Sequence, residues 1–149
     1  MKTLILGLGN SILSDDGIGI RVARKLKQKV KSADVIEASV GGLSLLDYIQ
    51  GYDKLIIVDS IKTEGGNPGD LYEMKLEDFT TTLHLSSLHG VNLSSAIEFG
   101  RQLGYEIPDI IKIYAIEVED NLTFSEKCTD KVEASIPQIV EEIFIKEGL

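Results

Sequence analysis

The stretch 3–22, TLILGLGNSILSDDGIGIRV, decides the fold. Its first six residues, 3–8, are an apolar run interrupted only by glycine. That is the composition of a strand buried on both faces of a parallel sheet. Gly7-Leu8-Gly9-Asn10 then turns the chain. Ser14 predicts an N-cap, with a helix beginning at Asp15. Ile18, Val22, Leu26 and Val30 recur every four residues and give that helix one buried stripe. Asp15 and Asp16 fall in its first turn, where the helix dipole favours negative charge. Gly17 and Gly19 each cost a helix about 1 kcal/mol relative to alanine. Their presence points to close backbone packing or to access for another chain.

Outward from this unit the alternation of strand and helix repeats. Residues 34–37 (DVIE) read as a second short strand, and Gly41-Gly42 leads into a short helix over 43–50. Residues 54–60 (KLIIVDS) form the clearest buried strand, with Asp59 at its carboxyl end. A Gly/Asn/Pro loop at 65–69 precedes an alternating sheet-edge strand at 70–75, whose direction has no local signal. Residues 83–90 read as a loop carrying both histidines, His84 and His89. A helix over 92–103 places Ala96, Ile97 and Gly100 on one side and stops at Gly104. Residues 110–118 (IIKIYAIEV) are a further strand, and a helix over 125–146 closes the chain. Val132, Ile136, Ile139, Val140 and Ile143 form its stripe, and Pro137 is expected to kink or split it.

This order predicts one α/β domain over 1–149. The expected architecture is a three-layer αβα sandwich of the phosphorylase/hydrolase-like kind, with a twisted, mostly parallel five-stranded sheet and helices on both faces. Ligands in such sheets bind beyond the carboxyl ends of the strands.

Charge narrows the function. The chain has 15 basic and 24 acidic residues, a net charge of -9, which argues against a nucleic-acid partner. The basic cluster Arg21, Arg24, Lys25, Lys27, Lys29 and Lys31 fills the later turns of the first helix. Cations favour that end of the dipole, so a solvated helix face explains the cluster. The single cysteine, Cys128, excludes an intrachain disulfide and a cysteine-only zinc cluster, and fits a reducing cytoplasm. The apolar run in MKTLILGLGN is too short for a signal peptide. No stretch approaches the roughly 20 apolar residues of a membrane span. A cytoplasmic protein with no membrane partner is therefore expected.

Three polar residues fall near strand ends: Asp16 after the first strand, Asp59 at the third, and His89 in a later loop. Two carboxylates and an imidazole suit a divalent transition metal, and three protein ligands leave positions open for water or an incoming group. Each residue also has a plain structural role. Asp16 is a favourable first-turn acid, Asp59 a turn cap after its strand, and His89 a loop histidine bonded to backbone. His84, between Leu83 and Leu85, reads as structural, and Cys128, without a histidine partner, as inert. No H-E-x-x-H, G-x-S-x-G or G-x-x-x-x-G-K-[ST] motif is present. Residues 7–12 lack the third glycine of a dinucleotide loop, so no nucleotide cofactor is expected.

The segment GLGNSILSDDGIGIRV, residues 7–22, closely resembles the opening motif of the hydrogenase maturation proteases, G-x-G-N-x-L-x-x-D-[DE]-G-x-G. The likeness continues through LIIVDS at 55–60, PGDLYEM at 68–74, SSLHGVNL at 86–93, IEVEDN at 116–121 and the final helix. The resemblance implies an endopeptidase that removes a C-terminal extension from the large-subunit precursor of [NiFe] hydrogenase after nickel insertion. It implies that Asp16, Asp59 and His89 contact nickel brought by that substrate, the metal acting as a checkpoint. It also implies that residues 7–22 and 116–121 help form the cleft for the substrate tail, with Gly9, Asn10, Gly41, Gly42 and Asn121 as substrate-binding positions. The protein is expected to act as a monomer.

Two departures from the family pattern stand out. Many members carry Glu at the position of Asp16, so the oxygen ligands are kept with a shorter reach. Many also read D-G-G-T after the second strand, where this chain has Glu37-Ala38-Ser39-Val40. A role of that acid in cleavage falls on Glu37. The change implies a different hydrogenase subgroup as substrate, similar to the versions serving methanogen-type cofactor-reducing hydrogenases. Two routes to cleavage stay open: polarisation of a carbonyl or water by nickel, or Asp16 or Asp59 as general base on an ordinary water. Three other readings remain. Peptidyl-tRNA hydrolases share the G-L-G-N strand end but continue with Pro-Gly, where this chain has Ser11-Ile12. Spore-germination proteases resemble the chain more remotely. A nickel-dependent module that binds the large subunit without cutting it would use the same ligands.

Overall fold

The computed structural model describes residues 1–39, 42–81 and 88–149, with the side chains of 79–81 and 88–92 outside that description. The apolar runs become the strands β1 (Thr3–Leu8), β2 (Asp34–Ala38), β3 (Lys54–Ile61), β4 (Leu71–Lys75) and β5 (Ile110–Glu117). They pair in the order β2-β1-β3-β5-β4. The first four in that order are parallel, and β4 runs antiparallel to β5 at the edge. The direction of β4 follows from its connection. Only residues 62–70 separate it from β3, too few for the crossover of a dozen or so residues that a parallel return requires.

Helices cover both faces. On one side α1 (Ile18–Lys29) and α5 (Asp130–Lys146) pack their stripes on Ile5, Ile56, Val58, Tyr114 and Ile116. On the other, α2 (Leu46–Ile49) and α4 (Leu88–Gln102) cover Leu4, Leu6, Leu55, Ile57 and Ile113. Burying each such side chain stabilises the fold by about 1.5–3 kcal/mol. No helix among the described residues is long and apolar enough to cross a membrane.

Several boundaries differ from the sequence expectation. The first helix does not begin at Asp15, and Ser14 is not its N-cap. Ser14–Gly17 instead form a 3₁₀ turn in which Ser14 has φ +49°, and the N-cap position of α1 falls on Gly17. A short helix, α3 (Leu76–Thr81), follows β4 directly. α4 starts at Leu88, so His89 is a helical residue rather than a loop residue. Residues 82–87, with His84, lie outside the described residues, as does Gly41. α5 starts at Asp130 rather than at 125, because Ser125 is bridged to Leu13 and Thr129 is held in extended backbone. The helix continues through Pro137 without a break.

One close approach positions everything at the upper end of the sheet. A Cβ at Gly19 would stand 2.3 Å from the Val58 carbonyl oxygen and 2.4 Å from that of Leu8. α1 therefore lies directly against the ends of β1 and β3, which brings the 3₁₀ turn over β3. Gly19→Ala is expected to cost about 3 kcal/mol through overpacking. Urea unfolding, read as a lower midpoint at unchanged slope, measures it.

Candidate functional site

Two neighbouring acids take opposite directions in the turn before α1. In a 3₁₀ turn successive side chains are set about 120° apart, and both Asp15 and Asp16 are buried. Asp15 faces the segment that follows β5. Its carboxylate accepts bonds from the amides of Glu119 (3.0 Å), Asp120 (3.0 Å) and Thr129 (2.7 Å), and from the Thr129 hydroxyl (2.8 Å). It is a structural clip between this turn and residues 119–129.

Asp16 faces β3. Its Oδ2 accepts a bond from the Asn10 amide at 2.9 Å, and its Oδ1 accepts one from the Ser60 hydroxyl at 3.2 Å. The Ser60 amide in turn donates to Asp59 Oδ1 at 2.8 Å. One buried serine thus bonds both candidate acids at the carboxyl end of the sheet. Gly9 and Asn10 support this arrangement from below. Gly9 has φ +148°, and a Cβ there would lie 2.1 Å from the Asp16 carbonyl oxygen. These two residues, expected to meet substrate, place Asp16.

The other expected residues are distributed differently. His89 is carried by the first turn of α4, and its side chain lies outside the described residues. Gly42 opens a 3₁₀ turn, Gly42–Leu45, before α2. Asn121 lies partly buried in the segment clipped by Asp15. Glu37 is not brought to the two aspartates: it pairs with Arg24 of α1 at 2.9 Å on the exposed edge strand β2. Among the described residues no three histidine, cysteine or acidic side chains converge in a metal-holding group.

Sequence reasoning missed Ser60, which looks like any polar residue closing a strand, and the clip made by Asp15. It also passed over Glu117, a buried acid at the end of β5. Glu117 accepts bonds from the Thr63 amide (2.8 Å), the Thr63 hydroxyl and the Tyr72 hydroxyl (3.0 Å), closing the 62–70 loop. Burial, and then this bond to Glu117, raises the Tyr72 hydroxyl above its ordinary value. The Cys128 thiol is buried and pushed up to about 12, chiefly by desolvation, so it stays protonated and unreactive at neutral pH. A surface pocket of about 540 Å³, lined by Glu73, Lys75, Arg101, Asp109 and Lys112 among others, lies at the amino end of β5 and contains none of the candidate residues.

The model of the family described as hydrogenase maturation protease matches residues 20–146. The chain belongs to this family. It is 29% identical over 150 aligned positions to the Hydrogenase 2 maturation protease of Escherichia coli, covering 96% of this chain and 88% of that protein. It is 29% identical to the hydrogenase expression/formation protein HupD of Rhodobacter capsulatus, covering 80% of this chain and 60% of that protein. Among solved structures, the hydrogenase-maturating endopeptidase HybD from Escherichia coli superposes with a TM-score of 0.83 at 27% identity, covering 98% of this chain and 91% of that one. The maturation-protease fold and a peptide-bond hydrolase activity, both implied by the opening motif, are thereby established for this chain. In this protease, Asp15→Asn leaves one accepting oxygen where four donors converge. We expect a loss of about 3 kcal/mol in unfolding free energy, measured by urea titration.

Proposed function

We propose that this protease removes the C-terminal extension of a [NiFe] hydrogenase large-subunit precursor, reading nickel already held by that substrate through Asp16, Asp59 and His89. What supports the reading is the pair of bonds from Ser60, which unites Asp16 and Asp59 at the carboxyl end of the sheet. Ligands of open parallel sheets bind at that end. Carboxylate oxygens with one imidazole are an appropriate donor set for nickel. Both acids are largely withdrawn from water, so a cation arriving with the substrate is attracted more strongly there than at an exposed site.

Nickel would supply Lewis-acid polarisation at the scissile bond. The chain's own residues do the rest. Asp16 and Asp59 hold the substrate centre, and whichever of them faces the attacking water accepts its proton. Ser60 keeps the two carboxylates in register while substrate enters. Gly9 and Asn10 fix the approach of Asp16 from the β1 side. The lone, buried Cys128 fits a reducing cytoplasm as the place of action. The monomer expected from the sequence is part of this reading.

The test is processing of purified precursor, followed as tail release by mass spectrometry. Nickel-loaded precursor is expected to be cut and nickel-free precursor left intact. Asp16→Asn and Asp59→Asn should each lower kcat/KM by about 100-fold or more. Ser60→Ala, which removes the hydroxyl bond to Asp16 and keeps the amide bond to Asp59, should lower it roughly 10-fold. Equal processing of loaded and nickel-free precursor would refute the nickel checkpoint.

A further inference from the structure

Large apolar side chains stand in solvent on a segment that the fold has taken care to immobilise. Leu122 is 79% and Phe124 80% exposed, and Ile12, 47% exposed, lies in the neighbouring turn between β1 and the 3₁₀ turn. The Ser125 amide donates to the Ile12 carbonyl at 2.9 Å and the Ser14 amide to the Ser125 carbonyl at 2.9 Å, so the two stretches are zipped together. Beneath them the Asp15 amide donates to the Asp120 carbonyl at 2.9 Å, and the Asp15 carboxylate takes the four bonds described above. From the solvent side, Asp120 Oδ1 accepts the amides of Leu122 and Thr123, each at 3.0 Å. A bond from the Thr123 side chain, and then these two amide bonds, hold the Asp120 carboxyl down to about 2.

An apolar cluster on a loose loop would fold back or move aside. This one is held in place by backbone bonds on one side and a buried carboxylate on the other. Rigid, exposed apolar groups bordered by polar ones mark a surface that another protein covers. The border here is acidic: residues 119–127 carry Glu119, Asp120 and Glu126 against Lys127.

We infer that Ile12, Leu122 and Phe124 form the docking surface for the folded body of the protein substrate, beside the site where its tail is cut. This rests on the proposed function. The surface is continuous with the site, because the 3₁₀ turn that presents Asp16 to β3 also binds residues 119–129 through Asp15. A precursor that brings its peptide bond to Asp16 and Asp59 must cover this rim. A second copy of the chain seated here would block that approach. The complementary face on the precursor is apolar at its centre and basic at its edge. Because Asp15 pre-orders the loop, docking loses little conformational entropy on contact.

The experiment uses the full-length protein, nickel-loaded precursor and the double variant Leu122→Ser/Phe124→Ser, with Ile145→Ser as control. Ile145 is 68% exposed at the far end of α5. Surface plasmon resonance gives the precursor Kd, and tail release gives KM and kcat. The double variant is expected to raise Kd and KM roughly 10-fold or more while kcat stays within about twofold. The control should behave as wild type, and thermal unfolding of all three should coincide. Unchanged Kd and KM in the double variant, with the wild type binding and cutting, would overturn the docking surface alone. A wild type that binds without cutting refutes the proposed function, and the Kd comparison still decides the surface. A wild type that neither binds nor cuts overturns both. If sedimentation shows a wild-type dimer that the double variant dissolves while Kd for precursor is unmoved, the occupant is a second copy and the inference fails.

Discussion

Ser60 bonds two acids that lie far apart in the chain. Its amide is given to Asp59 and its hydroxyl to Asp16. This link requires β1 and β3 to be adjacent and in the register Leu4↔Leu55 to Gly7↔Val58, which carries Asp59 and Ser60 past the last pair with β1. It also requires α1 to press onto those ends, which a side chain at Gly19 would prevent. A slip of β3 by one residue would turn Asp59 to the other face of the sheet. The site is therefore a product of sheet register and helix approach together.

The buried acids divide by position. Glu147, at the lower end of the sheet, lies between Lys54, Lys112 and the Tyr114 hydroxyl. Burial alone would raise its carboxyl, but bonds from Lys54, Tyr114 and Lys112 prevail and hold it below the usual range. This is a structural clamp on the end of α5. At the carboxyl end, Asp15 and Glu117 are tied to backbone amides and hydroxyls and shape the two loops that flank the site. Asp16 and Asp59 lie between those loops. Loop-shaping acids thus frame the acids proposed to meet substrate, and the same turn that orients Asp16 fixes the apolar rim at Leu122 and Phe124.

Much of this was legible in the sequence. Apolar runs at 3–8, 54–60 and 110–118 are strands because they must be buried on both faces, and the stripes of α1 and α5 follow a four-residue spacing that survives in any tertiary setting. The glycines and acids of residues 7–22 carried the family resemblance. What escaped was non-local. Asp15 and Asp16 look alike as consecutive first-turn acids, and only the 3₁₀ geometry separates a structural clip from a site residue. Ser60 acquires its role from Asp16, which is 44 positions away. Glu37 sits on β2, with β1 between it and β3, and Arg24 captures it. The direction of β4 depends on the length of the 62–70 connection and on which neighbour it pairs with. α1 starts late because Ser14–Gly17 wind as a 3₁₀ turn, and α5 starts late because Asp15 ties down the amide and hydroxyl of Thr129 just ahead of it.

The shared site of Asp16 and Asp59 is open to direct observation. Crystals of the protein exposed to nickel, with anomalous diffraction recorded at the nickel edge, would locate the ion without reference to activity. A single peak in coordination contact with carboxylate oxygens of both Asp16 and Asp59 is the expected result. An ion held by neither acid, or by one with the other turned away from it, would contradict the site.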